Sequence, residues 1–437
     1  MQSISHTPWF DLSNLTTNQT DNKHAVIIGG GIAGSQMAWH LCQLGWKVTL
    51  IERHDSLAQE ASGNQAGIIS PKITAKPSEG EDFYVDAFEY TLNQIKILQN
   101  QGCSVDWNPC GMLQLAHNER EQKRWQAIQQ RVENGDFKTG FVTTVDEQQA
   151  DTIAGIKTHH KAFWFQQAGW IKPRSFCASL TQHPNCHIIR STQAISLQHN
   201  DDAVWQVLDQ VKNSIAQASH LIIANGKDLQ SFKQSQFLAG VPILGQTTSA
   251  LASDYSKKLN TVIGHKGYLV PAFRNDNDHY QEQHLFGATF EKEFSKISLK
   301  PEANQTNLTQ LHQFLPKLAN SLEQINSAHC AIRFTTPDRL PYAGGIPKLD
   351  FYTQHYADLH QGKYWKKYPS AEYQKGLYIL GGFGSRGLTT SGLCAHLLAK
   401  QIDQANTLST QEQKLLHSLH PARFIIKNLK KNRTHDN

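Results

Sequence analysis

Long apolar runs are missing from this sequence. No stretch of its 437 residues approaches the roughly 18 apolar positions that a spanning helix requires. The first residues offer neither a basic start nor an apolar segment that would mark a secretory signal. The expectation is a cytoplasmic protein with no membrane partner. Cysteine is sparse: Cys42, Cys103, Cys110, Cys177, Cys186, Cys330 and Cys394 are odd in number and include no CxxC pair, which argues against a disulfide framework and against zinc. They read as reduced, mostly core residues. The 22 histidines contain no HExxH, and the adjacent pair His159-His160 reads as surface, so no metal is expected. The remainder is ordinary for a soluble globular chain of two domains, with 39% hydrophobic residues, a net charge of +5 and a mean hydropathy of -0.49.

Against this background the segment AVIIGGGIAG, Ala25 to Gly34, stands out. An apolar strand runs straight into Gly29-x-Gly31-x-x-Gly34, a helix is expected from about Ile32 to Leu44, and the next apolar run ends on Glu52. That pattern is a dinucleotide-binding βαβ unit. Gly29 permits the tight turn, Gly31 lets backbone amides approach a diphosphate, and Gly34 lets the helix pack on the sheet. Glu52 can accept the ribose hydroxyls of an adenosine, and the helix N-terminus adds amides and partial positive charge where a diphosphate sits. The turn alone does not separate NAD from FAD. A second cluster, Gly381-Gly382-Phe383-Gly384-Ser385-Arg386-Gly387-Leu388, lies far downstream, follows the apolar run Leu377 to Leu380 and opens a helix at about Thr389 to Gln404. Two such units distant in sequence suggest one long cofactor held at both ends, and FAD is long enough.

Basic residues are unevenly spread. Arg423, Lys427, Lys430, Lys431 and Arg433 alternate with Phe424, Ile425, Ile426 and Leu429, a short amphipathic helix or arm. Between Lys348 and Lys375, Tyr352, His355, Tyr356, Tyr364, Trp365 and Tyr368 interleave with Lys363, Lys366 and Lys367. Base stacking with phosphate contact needs that mixture, and a solvated surface loop is the plain alternative. The expected organisation is a linker-like tail at 1–23, a discontinuous cofactor domain at 24–95, 169–238 and 331–405, a substrate domain at 96–168 and 239–330, and a basic tail at 406–437. Helices are expected at 118–134, 174–182 and 307–322, and strands at 187–190, 203–208, 220–226, 247–252, 267–271 and 284–289.

The combination of GGGIAG, EASGNQAG at 60–67, GWIKP at 169–173, IIANG at 222–226, GQ at 245–246, GYLVPA at 267–272, FGATF at 286–290, RFTTPDRLPYAGG at 333–345 and GGFGSRGLTTSGL at 381–393 resembles the D-amino-acid/glycine/sarcosine oxidase superfamily. More narrowly, it is similar to the FAD-dependent oxidase half of the bifunctional methylaminomethyl-2-thiouridine tRNA-modifying enzymes, from a linker-like Pro8-Trp9-Phe10 to the basic end. The resemblance implies an α/β fold: a Rossmann-like FAD-binding domain with an interleaved α+β substrate domain on a mostly antiparallel sheet. It implies that Gly29, Gly31, Ile32, Ala33, Gly34, Glu52, Arg53, Ser62, Gly63, Asn64, Gly67, Gly382, Gly384, Ser385, Arg386, Gly387 and Leu388 hold FAD. It further implies oxidative removal of the carboxymethyl group from carboxymethylaminomethyl-(2-thio)uridine in tRNA, with release of glyoxylate. Such chemistry needs no protein nucleophile. Arg333 is expected to hold the substrate carboxylate, with pairing to Asp338 as the structural alternative, and Tyr268 is expected in the same pocket or as plain core. Lys363, Lys366, Lys367, Lys430 and Lys431 are expected to touch tRNA.

Two departures from the family pattern stand out. Leu244-Gly245-Gln246 stands where those enzymes commonly read Arg-Gly-Gln, and the methyltransferase domain that precedes their linker is not in this sequence, which implies a separate aminomethyluridine methyltransferase as a partner. The other expectations are an oxidase of free glycine, sarcosine or a D-amino acid, and a non-catalytic tRNA-binding flavoprotein.

Overall fold

Strand β1 (His24–Ile28) is apolar at successive positions because both of its faces are covered: Ala25 and Ile27 join Met37, Leu41, Leu397 and Leu398 in one core, while Val26 and Ile28 join Leu197, Trp205 and Val207 in another. In a parallel sheet with layers on both sides, an alternating polar face has nowhere to go. The computed structural model describes residues 7–12, 14–15, 23–200, 204–275, 278–322, 324–363 and 365–433. There β1, helix α1 (Ile32–Gln43) and strand β2 (Lys47–Ile51) form the first βαβ unit. The six-stranded sheet runs in the order Tyr342–Pro347, Tyr373–Gly381, His220–Ile223, β1, β2, Cys186–Ile189. It is parallel except for its antiparallel edge pair. Helix Gly387–Gln404 packs beside α1, and a three-stranded antiparallel sheet, Ser196–His199 with Trp205–Leu208 and Ser214–Ala218, covers the opposite face.

A nine-stranded sheet makes the second body. Its long strands Val241–Leu251 and Ile325–Thr335 pair antiparallel with Ile243 opposite Arg333, and the only parallel pair among its described strands joins Val262–Gly264 to Met112–Leu115. The fold is thus α/β, with a Rossmann-like sheet and a mostly antiparallel second sheet.

Several boundaries differ from the sequence expectation. A return to the cofactor domain at Ala331 would cut the strand Ile325–Thr335, which pairs with Val241–Leu251 along its length, so the chain leaves the second sheet only after Thr335. The helix expected at 307–322 is two helices, Pro301–Phe314 and Pro316–Ser321. Pro316 has no amide to continue the first one and drives Leu315 out of helical geometry, at φ -136° and ψ 62°. The expected C-terminal tail is instead two packed helices, Thr410–Leu419 and Arg423–Lys430, whose Leu416, Leu419, Phe424, Ile425 and Ile426 are buried. Within the N-terminal segment Leu15 is buried and Trp9, Phe10 and Leu12 pack on the same core; residues 1–6, 13 and 16–22 of that segment are outside the described residues.

Candidate active site

The first glycine turn is built by close approach. Gly29 has φ 107°, and a Cβ there would lie 2.6 Å from the Ala224 carbonyl oxygen. A Cβ on Gly34 would collide with the Gly29 carbonyl oxygen, so only glycine lets α1 sit against the turn. Gly31 is different, because its Cβ would meet little besides Ser62 Oγ at 3.2 Å. Glu52, at the end of β2, is only 6% exposed; its Oε2 accepts the Gly30 amide at 2.7 Å and its Oε1 the His54 amide at 2.9 Å. Gly31 has no side chain to cap α1. Ser62 Oγ does so from another segment, accepting the Ile32 amide at 3.0 Å.

The segment that carries Ser62 is fastened to the second sheet. Asn64 Oδ1 accepts from Thr247 Oγ1 at 3.0 Å, and its Nδ2 donates to Tyr268 Oη at 2.8 Å and to the Ala66 carbonyl at 2.7 Å. Gln65 Oε1 accepts from Ser249 Oγ and Gln283 Nε2. Gly63 packs against the Ala58 carbonyl, and Gly67 leaves the space that Leu388 fills. In the second glycine unit, Gly382 (φ 76°) and Gly384 (φ 54°) turn the chain, and the Gly384 amide donates to the Phe334 carbonyl at 3.0 Å. A Cβ on Gly387 would lie 3.3 Å from Ile32 Cγ2. The N-termini of both glycine helices therefore converge on one cavity of about 720 Å³. Every cofactor and substrate residue expected from the sequence lines it except Gly34 and Gly63, whose roles are packing.

Charge is handled differently along this cavity. Near the first turn, Arg53 pairs with Glu60 and with Asp228, and Lys227 pairs with Glu60 at 2.6 Å. Burial opposes ionisation of Glu60, but the Lys227 hydrogen bond and the Arg53 charge outweigh it and hold its carboxyl below the ordinary range. At the other end, Arg333 and Arg386 enter no ion pair with any described residue. Arg333 donates to the Thr289 carbonyl at 3.3 Å and lies 4.6 Å from the centroid of the Phe290 ring. Gly245 makes its room, since a Cβ there would collide with Arg333 Nη2. Burial pushes the Arg333 pKa down, and Tyr268 partly offsets this. Burial raises the Tyr268 pKa against the opposing Asn64 hydrogen bond and Arg333 charge. Burial likewise lowers Arg386, which donates to the Ser70 carbonyl at 3.4 Å. Asp338, the alternative partner for Arg333, is bound instead by Arg423 at 2.8 Å.

Leu244 is 2% exposed and pairs with Ile332, so its side chain is on the sheet face opposite Arg333 and Gly245. The lysines expected to touch tRNA line no part of the cavity. Lys366, Lys367, Lys430 and Lys431 are exposed, and Lys363 is half-buried. Tyr352 and Tyr356, expected as stacking groups, are fully buried, and Tyr364 is outside the described residues. Sequence reasoning assigned no role to Phe290, although FGATF was noted, nor to His265. His265 also lines the cavity; its Nδ1 accepts the Gly267 amide at 3.0 Å, which leaves the proton on Nε2, a buried donor with no partner among the described residues. Burial, with a smaller push from His117, lowers its pKa to about 3. Among the described residues, no helix is long and apolar enough to cross a membrane and no metal-binding group of acids, histidines and cysteines is present.

Comparison with known proteins agrees with this geometry. The chain is 32% identical over 432 residues to the tRNA 5-methylaminomethyl-2-thiouridine biosynthesis bifunctional protein MnmC of Pseudomonas syringae pv. tomato, covering 97% of this chain and 62% of that protein. It thus spans about three-fifths of the length of such relatives. Its fold is that of glycine oxidase from Geobacillus kaustophilus, with TM-score 0.72, 16% identity and coverage of 92% and 99% of the two chains. Iminodiacetate oxidase from Chelativorans sp. BNC1 is also similar, with TM-score 0.67, 21% identity and coverage of 86% and 94%. With residues 24–401 matching it, the chain belongs to the FAD dependent oxidoreductase family, DAO.

Proposed function

We propose that this chain binds FAD and oxidises the carboxymethylaminomethyl side chain of a wobble (2-thio)uridine in tRNA, leaving aminomethyluridine and glyoxylate. The observation that carries this reading is Arg333, a half-buried cation without a described carboxylate partner, in the same cavity as two glycine-helix units. The 32% identity to a tRNA-modifying relative supports the polymer as substrate. The chain's own groups fit the cofactor: Glu52 for the ribose, the amides at the start of α1 and the open side of Gly31 for the diphosphate, and Gly384 to Leu388 for the ring end. Bound FAD supplies the two-electron acceptor for oxidation of the CH-NH bond to an imine.

Arg333 grips the carboxylate and so fixes which carbon faces the acceptor, because a guanidinium fork holds both oxygens. Tyr268 Oη accepts from Asn64 and makes only a long donation, 3.5 Å, to the Ala66 carbonyl, so its proton can turn to the substrate carboxylate. The half-buried Arg386 favours negative charge at the ring end. Water then adds to the imine carbon, the C-N bond breaks, and the aminomethyl amine and glyoxylate leave. No protein nucleophile is needed.

The test is to incubate the FAD-loaded protein with tRNA carrying the carboxymethylaminomethyl group and to measure both glyoxylate and nucleosides. One glyoxylate per aminomethyluridine formed is expected. Turnover of free glycine or sarcosine with unchanged tRNA nucleosides would replace this reading by a small-amine oxidase.

A further inference from the structure

We propose that a continuous basic track, running from the Trp365 loop across the C-terminal helix and the 336–340 turn to the cavity edge, docks the phosphate backbone of the RNA. The proposal rests on the tRNA reading above. It adds the path by which the polymer reaches the site.

The links are contacts. Lys366 Nζ lies 4.9 Å from the centroid of the Tyr368 ring, that ring lies 6.2 Å from Trp9, and Lys430 Nζ lies 4.7 Å from Trp9 on its other contact. The N-terminal segment, the Trp365 loop and the C-terminal helix thereby share one face. The helix Arg423–Lys430 carries that face onward by about 11 Å, at 1.5 Å per residue. At its start Arg423 Nε binds Asp338 Oδ2 at 2.8 Å, which anchors the 336–340 turn. The next residue, Arg339, is exposed, and its carbonyl accepts Tyr84 Oη at 2.9 Å. The Tyr84 ring then carries two more cations, Lys72 Nζ at 4.7 Å and Arg386 Cζ at 5.5 Å from its centroid. Arg386 lines the cavity.

The track is not self-neutralised. Asp358 takes up Lys363 and Lys366, and Asp338 takes up Arg423. Lys72, Arg339 and Arg386 at one end, and Lys367, Lys430 and Lys431 at the other, enter no ion pair with any described residue. Burial lowers the Lys72 pKa, and Arg386, Arg339 and Arg124 lower it further, as expected of crowded cations lacking an anion. A nucleic acid fits this better than a membrane. The exposed Lys367, Lys430 and Lys431 suit a phosphate backbone, whereas a membrane surface needs a free apolar side and that of the C-terminal helix is already buried in the protein.

The test uses the FAD-loaded protein and measures Kd for tRNA across a salt series. Replacing Lys367, Lys430 and Lys431 together by Ala should weaken binding at least tenfold and reduce the log-log salt slope by about two units, at about 0.7 to 0.9 per phosphate contact. Arg339→Asn, chosen because Asn tolerates the φ of 67° at that position, should reduce it by about one unit. Both variants should keep the wild-type flavin absorbance and melting temperature. Unchanged slopes and Kd in folded variants would overturn the track, as would a wild-type protein that binds phosphatidylglycerol vesicles more tightly than tRNA. If glyoxylate release fails while the slopes shift as expected, the track stands and the proposed reaction falls. Glyoxylate release from tRNA with unmoved slopes would give the reverse.

Discussion

The two ends of the cavity treat charge in opposite ways. Around the first glycine turn, Arg53, Glu60, Lys227 and Asp228 form a closed set in which each charge meets its opposite. Around the second, Arg333 and Arg386 are kept half-buried against carbonyls and aromatic rings, with no carboxylate among the described residues. Partly exposed ion pairs contribute little each, on the order of 0.2 to 1 kcal/mol, so the closed set mainly holds the turn, the 60–67 segment and the 226–228 loop in register. A desolvated cation without a partner is unfavourable in the free protein. Under the proposed function, an anionic group completes the site at that cavity wall. On that reading one end is scaffold, and the other receives the substrate carboxylate at Arg333 and the cofactor's ring end at Arg386.

The largest effect should come from the scaffold end. Gly34→Ala places a methyl group on the Gly29 carbonyl, and both are backbone-fixed, so the turn must open. A loss of about 3 kcal/mol is expected, with flavin absorbance lost alongside the melting temperature. Gly31→Ala should behave differently, because its Cβ meets only Ser62. The fold should melt normally while the Kd for FAD rises. Equal behaviour of the two variants would erase the distinction between packing glycine and ligand-facing glycine.

Next in size is the other end. Arg333→Ala should reduce kcat/KM on carboxymethylaminomethyl-tRNA by about 10- to 100-fold, since each 1.4 kcal/mol of lost charged hydrogen bonding is a factor of ten. Flavin content should be normal, and Arg333→Lys should recover only part because the fork is gone. Normal turnover in Arg333→Ala would place the carboxylate elsewhere. Tyr268→Phe removes one hydroxyl and should cost about 1 kcal/mol, roughly fivefold in the same measurement. A wild-type rate there would make Tyr268 a wall residue.

What the sequence disclosed divides along the same line. β1, α1, β2 and both glycine clusters were legible because backbone geometry permits little but glycine at Gly29 and Gly34, and because both faces of β1 are buried. Arg333 was singled out through resemblance and does line the cavity, but its setting was not legible. Gly245 and Phe290, which make room for and support its guanidinium, lie on strands and turns far from it in sequence. The same non-locality hid the end of the second sheet at Thr335, since pairing with Val241–Leu251 sets it. Tyr352 and Tyr356 misled, because a tyrosine interleaved with lysines reads as surface until the helices that bury it are known. The terminal helix was recognised as amphipathic, yet nothing local said that its apolar side closes the main core.

The smallest effect tests the closed set itself. Glu60→Gln keeps the shape but removes the charge that Arg53 and Lys227 share, and Glu60 is about one-third exposed, so solvent screening limits the loss at neutral pH to about 1 kcal/mol or less. The sign with pH follows from the direction of its shift. Its carboxyl titrates below the ordinary value of 4.5 in the folded protein, so the unfolded chain takes up the proton first on acidification. Its stabilisation is present in full above that ordinary value and is lost as the pH falls through the lower folded one. In melting curves, wild type and Glu60→Gln should differ at neutral pH and converge in acid. A gap that stays constant down to the acid limit would mean that the network acts through shape alone and that its charges do not hold the turn.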